Sequence, residues 1–333
     1  MYLKSSIKVI LSALLVMMIF TDVRAHEIRP ARLQITQQSD STYSIFWKLP
    51  AIQQGVLKLK PILEFDHKVI HRDPGRDLGD AYIESWIIQT PELSEESRIT
   101  IEGLTNTITD VFVTTQTLDG ESASFIIRPD QPYFTLQQHV KTSQKLMDFV
   151  VLGVEHIWLG YDHLLFVLCL LWLITGFRKL IKTITAFTIA HSITLAASSL
   201  GWMKLPGPPV ESIIALSIVF LAVEIIKHRR GQEVYTSRYP WIVALVFGLL
   251  HGFGFAGALS EIGLPPNDIA LSLIGFNAGV EIGQIIFVMV ILLTIKVINT
   301  LFHKIPRWIP TTAVYAIGSL SSYWLIERVA GFW

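Results

Sequence analysis

Two patterns of hydrophobic and polar positions divide the chain. From residue 28 to 135, apolar and polar residues alternate with the period of two that a half-buried strand requires. Tyr43–Leu49, Val56–Leu59, Tyr82–Ile88, Arg98–Ile101, Asp110–Thr117 and Ser124–Ile127 read as strands. Asp73-Pro74-Gly75, Glu102-Gly103 and Asp119-Gly120 read as the turns between them. Short strands at this spacing predict a small all-β, sandwich-like domain over residues 26–140. Beyond residue 148 the alternation gives way to long apolar runs at about 149–174, 180–200, 210–227, 240–261, 268–295 and 309–327. A bilayer is crossed by about 20 apolar residues in a helix. Residues 141–333 are therefore expected to form an all-α polytopic bundle of about six helices.

The chain opens with the pattern of a signal peptide. Lys4 and Lys8 supply the charged region, residues 10–20 the apolar region, and Val23-Arg24-Ala25 the small residues at the cleavage positions. Residues 1–25 are expected to be removed, making His26 the mature N-terminus.

Composition sharpens this division. Charged residues are 16% of the chain and hydrophobic residues 51%, whereas soluble proteins carry about 25% charged residues. The deficit lies in the second half. The formal net charge is zero, so the electrostatic footprint of a nucleic-acid partner is missing. Cys169 is the sole cysteine, which excludes an internal disulfide or a thiolate cluster.

The loops between apolar runs set the orientation. Arg178, Lys179 and Lys182, then Lys227, Arg229, Arg230 and Arg238, then Lys296, Lys304 and Arg307 fall on one side. The alternate loops carry only Lys204. Basic loops stay in the cytoplasm. The β domain and the C-terminus, with Arg328, are then outside, in agreement with the signal peptide. In a bacterial cell this describes an inner-membrane, multi-pass protein with a periplasmic N-terminal domain.

The chemistry lies in polar residues placed where hydrocarbon is expected. An ionisable side chain at mid-membrane is costly and is retained by pairing, water or function. The first run holds Glu155-His156 and Asp162-His163, the second His191-Ser192, the third Glu211, the fourth His251, and the fifth Asn277 and Glu281. Asp162, His163, His191, His251, Asn277 and Glu281 are expected to meet in one layer near mid-membrane, with Glu155 and His156 two turns away on the first span and Glu211 near the outer end of the third. Imidazole and carboxylate together are ligands for first-row divalent metals such as nickel, cobalt and zinc. The candidate metal ligands are His156, Asp162, His163, His191, His251 and Glu281, supported by Glu155, Ser192, Glu211 and Asn277. Gly252, Gly254 and Gly257 are expected to serve helix packing, since no P-loop lysine follows them.

With these residues in view, the chain resembles the HupE/UreJ family, in particular its longer members with an extracytoplasmic N-terminal domain. The match lies in His156-x5-Asp162-His163 with Gly160 two residues before the aspartate, against a family pattern of His-Pro-x2-Gly-x-Asp-His. Ile157 replaces the proline, which in the family pattern would kink the helix. The His26-Glu27-Ile28-Arg29-Pro30 opening is also similar to that of the longer members. The resemblance implies a permease or delivery protein for nickel or cobalt, with Asp162 and His163 binding metal and His156 a ligand at the entrance. A mature His26, with its free amine and imidazole, is an additional candidate chelator.

Two other functions fit the same residues. One is an intramembrane zinc-dependent hydrolase, with Asp162 or Glu281 as general base and Ser192 orienting a substrate. The other is a structural or sensor protein whose β domain binds an extracytoplasmic protein partner. The bilayer and a metal ion are the partners common to the metal readings.

Overall fold

The computed structural model describes residues 30–332 except 53, 54, 80, 91–96, 121, 136–141, 204, 263–265 and 303–307. The expected signal peptide and His26 lie outside the described residues.

The N-terminal part is built from β1 (Ala31–Ser39), β2 (Thr42–Ile52), β3 (Gly55–Val56), β4 (Lys60–Glu64), β5 (Lys68–Arg72), β6 (Arg76–Asp77), β7 (Ala81–Gln89), β8 (Arg98–Glu102), β9 (Val111–Gln116), β10 (Ser122–Ile127) and β11 (Tyr133–Thr135). The larger sheet has the order β10-β9-β1-β2-β7-β5, with β3 on β2 and β6 on β7. The smaller sheet has the order β11-β8-β4. β1 pairs β9 in parallel, and its other neighbour β2 runs antiparallel to it. The alternation read from the sequence places Leu33, Ile35, Ile45, Trp47 and Ile88 of one sheet against Ile99, Ile101 and Phe134 of the other, in one core. The expected sandwich is thus present, with a parallel pair within it.

β9 breaks the alternation for a physical reason. Its first four residues are all buried, because both faces are covered. Val111 and Val113 face the sandwich core. Phe112 turns the other way and joins a cluster with Phe149, Ile157, Leu195, Phe276 and Val280. Through Phe112 the β domain rests on the helices.

The helical part comprises α1 (Thr142–Leu159), α2 (Tyr161–Leu173), α3 (Phe177–Ser199), α4 (Gly207–Arg229), the short α5 (Tyr235–Arg238), α6 (Pro240–Ile262), α7 (Pro266–Phe302) and α8 (Trp308–Ala330). The six apolar runs stand here as one bent pair and five helices. Among the described residues, α3, α4 and α7 are each apolar and long enough to cross a membrane, and the bent pair α1 with α2 passes the same test when taken together. The protein is therefore a multi-pass membrane protein. The principal helix pairs are α3 with α6, α1 with α7 and α4 with α8.

Glycine makes two of these approaches close. A Cβ on Gly279 would lie 2.0 Å from the Val150 carbonyl oxygen, and one on Gly252 2.4 Å from the His191 carbonyl oxygen. The α1–α7 and α3–α6 backbones thus touch at positions where a side chain is excluded. Glu224 accepts from the backbone N–H of Thr236 at 2.9 Å and so ties α4 to α5.

Candidate metal centre

The first apolar run is not one straight helix. It breaks at Gly160, and its two halves meet at 75°. Proline is not needed for this break. Gly160 sits at φ −82° and ψ 89° between the helices, its N–H still bonded to the His156 carbonyl at 3.0 Å. Ile157, where the family pattern has proline, is fully buried in the cluster under Phe112. The break folds His156 back over His163.

The centre follows from that fold. One nitrogen each of His156, His163 and His191 lie within 4.8 Å of one another. Three imidazoles holding one zinc-sized ion would have their nitrogens about 3.4 Å apart, so a modest inward rotation would close the set. His251 stands beside this trio, its ring 5.2 Å from that of His163.

Each inner histidine is held by its Nδ1. His163 Nδ1 donates to Asp162 Oδ1 at 3.0 Å, and the same oxygen accepts the His163 backbone N–H at 2.9 Å. His251 Nδ1 donates to the Phe247 carbonyl at 2.8 Å. His191 Nδ1 faces Asn277 Oδ1 at 3.3 Å. The Asn277 amide donates to the Leu273 carbonyl at 2.7 Å, which turns its oxygen toward the histidine. An acceptor at Nδ1 fixes the proton there and leaves a lone pair on Nε2. The Nε2 atoms of His163, His191 and His251 are buried without a hydrogen-bond partner among the described residues. A buried polar atom in that condition is costly. Such bare imidazole nitrogens, two of them on members of the trio and one on His251 beside it, have the donor chemistry of a transition-metal site.

The expected site residues separate into three places. His156, His163 and His251 line a cavity that also takes in Glu155, Asp162 and Glu211. His191, with Asn277 behind it, closes the inner end of the trio. Glu281 accepts from the Thr185 hydroxyl at 2.6 Å, about 9 Å along α3 from His191 at 1.5 Å per residue. Ser192 donates to its own helix, at the Thr188 carbonyl, 2.6 Å away. The layer is also nearer the end of the bundle than straight helices imply, because Glu211 and Arg328, at the ends of α4 and α8, reach it.

Four residues joined the site without a motif to announce them. Thr188 Oγ1 and Gln284 Oε1 meet at 3.2 Å, between α3 and α7. With His191–Asn277 and Thr185–Glu281 they make a polar seam between α3 and α7. Arg328 and Asp110 line the outer cavity. Burial pushes the Asp110 carboxyl up to about 7, and the nearby Glu155 charge adds to this.

The profile of the HupE / UreJ protein family matches residues 131–328. The chain belongs to the HupE/UreJ family. The matched span covers every histidine of the centre and ends on Arg328, while β1 to β10 lie outside it. No curated protein matches the chain at a significant level. The HupE/UreJ part is therefore the part that carries the histidine cluster, and it holds the Asp162-His163 pair in contact.

Proposed function

We propose that this HupE/UreJ protein is a permease or metal-delivery protein for a divalent transition metal of the nickel or cobalt kind. The observation that carries the reading is the trio of His156, His163 and His191 with His251 beside it, in which His163, His191 and His251 are each held at Nδ1 and offer a bare Nε2. The cargo would arrive from the extracytoplasmic side, where Glu155, Asp162 and Glu211 give the cavity its negative charge. His156, His163 and His191 would then exchange water ligands for imidazole, with His251 as the neighbouring ligand. The seam of Thr188, Gln284, Thr185 and Glu281 would offer weaker oxygen ligands beyond His191. Conduction needs sites favourable enough to enter and weak enough to leave, and that sequence of ligands fits the need. The β domain and the C-terminal end of α8 share one end of the bundle, which supports a periplasmic N-terminal domain with the C-terminus on the same side.

The test is uptake of radiolabelled nickel and cobalt into proteoliposomes, wild type beside His163→Ala. Saturable uptake lost in a folded His163→Ala protein is the expected result. No uptake, together with one tightly held and non-exchanging zinc per chain, would overturn the permease and favour the hydrolase.

A further inference from the structure

The outer cavity already contains a cation. Arg328 lies in the last turn of α8, and its side chain is only 10% exposed. Its Nη1 donates to the Glu211 backbone carbonyl at 2.6 Å. Its Nε stands 3.6 Å from Glu211 Oε2, and its Nη2 stands 3.8 Å from Asp162 Oδ2. The other oxygen of Asp162 is the one that orients His163. Asp162 is thus shared between a ligand histidine on one side and a guanidinium on the other.

This arrangement is unusual for its position. The basic loops read from the sequence fall on the expected cytoplasmic side, whereas Arg328 is a charge at the expected outer end of the last apolar run. Its contacts with the Glu211 and Asp162 carboxylates, at 3.6 and 3.8 Å, are longer than a charge-assisted hydrogen bond of about 2.8 Å. A shorter bond, at 2.6 Å, goes to the Glu211 backbone carbonyl and fixes where the side chain hangs. Both Asp162 and Glu211 therefore keep lone pairs facing the cavity. The guanidinium hangs from the last turn of α8, two residues before the helix ends at Ala330.

We infer that Arg328 is a tethered cation that occupies the mouth of the metal centre and must yield the carboxylates of Asp162 and Glu211 to an arriving divalent ion. Its charge neutralises the acidic mouth while no cargo is present, and it lowers the affinity of the outer site so that a bound ion can move on. Arg328 is a positioning residue and does not itself ligate. The inference rests on the proposed metal-binding function.

The experiment is titration of the purified full-length protein in detergent with cobalt(II) chloride, followed by the cobalt absorption bands, for wild type, Arg328→Gln, Arg328→Lys and His163→Ala. Arg328→Gln is expected to bind cobalt about tenfold more tightly, within the usual range of coupling between two sites. Arg328→Lys, whose compact ammonium reaches one carboxylate rather than two, is expected to fall between Arg328→Gln and wild type. Millimolar guanidinium chloride should weaken cobalt binding to Arg328→Gln and leave wild type unchanged, whereas a structural gap refilled by guanidinium would show improved binding. Wild-type binding that depends on His163, with Arg328→Gln equal or weaker, overturns the tethered cation and leaves the metal centre standing. If Arg328→Gln does not fold, Arg328→Lys decides: tighter binding than wild type supports the inference, and equal or weaker binding overturns it. No binding by wild type or by either Arg328 variant overturns the metal-binding function and the tethered cation together.

Discussion

The rings of His156 and His163 lie 4.7 Å apart although seven residues separate them. On a straight helix seven residues rise about 10.5 Å, so the 75° break at Gly160 brings the pair together. The residue at the break has no room for a side chain. A Cβ on Gly160 would lie 2.7 Å from His163 Nδ1 and 2.8 Å from the His156 carbonyl oxygen. Gly160→Ala is expected to push His163 off Asp162 and to weaken zinc or cobalt binding by about tenfold or more, with a stability cost of roughly 1–2 kcal/mol. Metal titration beside thermal unfolding checks both. Wild-type affinity in the variant would show that the two rings do not act as one site.

Asp162 orients rather than merely attracts. Its Oδ1 takes both the ring N–H and the backbone N–H of His163. Replacing the residue that fixes a ligand histidine typically costs about 10- to 100-fold in metal affinity. Asp162→Asn is expected to lose affinity in that range while the protein remains folded. Unchanged affinity would take Asp162 out of the orienting role and leave His163 to be held by packing alone.

The sequence carried the sandwich and the helices unevenly, and the gaps have physical causes. β2, β7 and β8 were legible because one face meets a core and the residues alternate. β4 contains Pro61, which demotes a run, and it lies at the edge of its sheet, where proline is tolerated. β5 is exposed along its whole length, so no alternation could mark it. The bent first span was hidden because hydropathy registers apolar content and is blind to direction; only Gly160 signalled the break. Among site residues, the histidines stood out because hydrocarbon should exclude them. Asp110 did not, because it sits in an ordinary β sequence and meets the site only through the docking of the two parts. Arg328 looked like a chain-end charge, and only the packing of α8 against α4 brings it to Asp162.

Asp110 predicts a pH dependence. Its carboxyl is held up to about 7 by burial first, then by the charge of Glu155; Arg128 opposes this, and Asp130 and Asp148 add to it. In the unfolded chain an aspartate titrates near 3.9. The folded state therefore binds the Asp110 proton more tightly, and this contribution to stability is complete below about pH 4 and lost as the pH rises through about 7. Asp110→Asn should leave the melting temperature unchanged at pH 4 and raise it at pH 8. Equal melting curves for the two proteins at pH 8 would contradict the burial of an ionisable group there.

Asp268 is one point at which the β domain is fastened to the helices. In the first turn of α7 it accepts from Lys145 Nζ of α1 at 3.0 and 3.3 Å, and from the Ser124 hydroxyl of β10. The Lys145 and Asp268 side chains are 16% and 13% exposed, so water screens the pair only partly. Removing one partner of such a pair leaves the other charge poorly solvated, at a cost of about 1–3 kcal/mol. Asp268→Ala is expected to loosen β10 and the start of α1 first, since these are the elements it joins. Hydrogen exchange should rise there while β1 and β2, held by their own ladder, keep their protection. Because Asp110 lies on the same docked domain and lines the outer cavity, the variant should also lose the pH-8 gain from Asp110→Asn when the two are combined. A uniform rise in exchange across the sandwich would mean that Asp268 stabilises the β domain as a whole, and the docking of the domain over the cavity would have to rest on Phe112 and its apolar cluster instead.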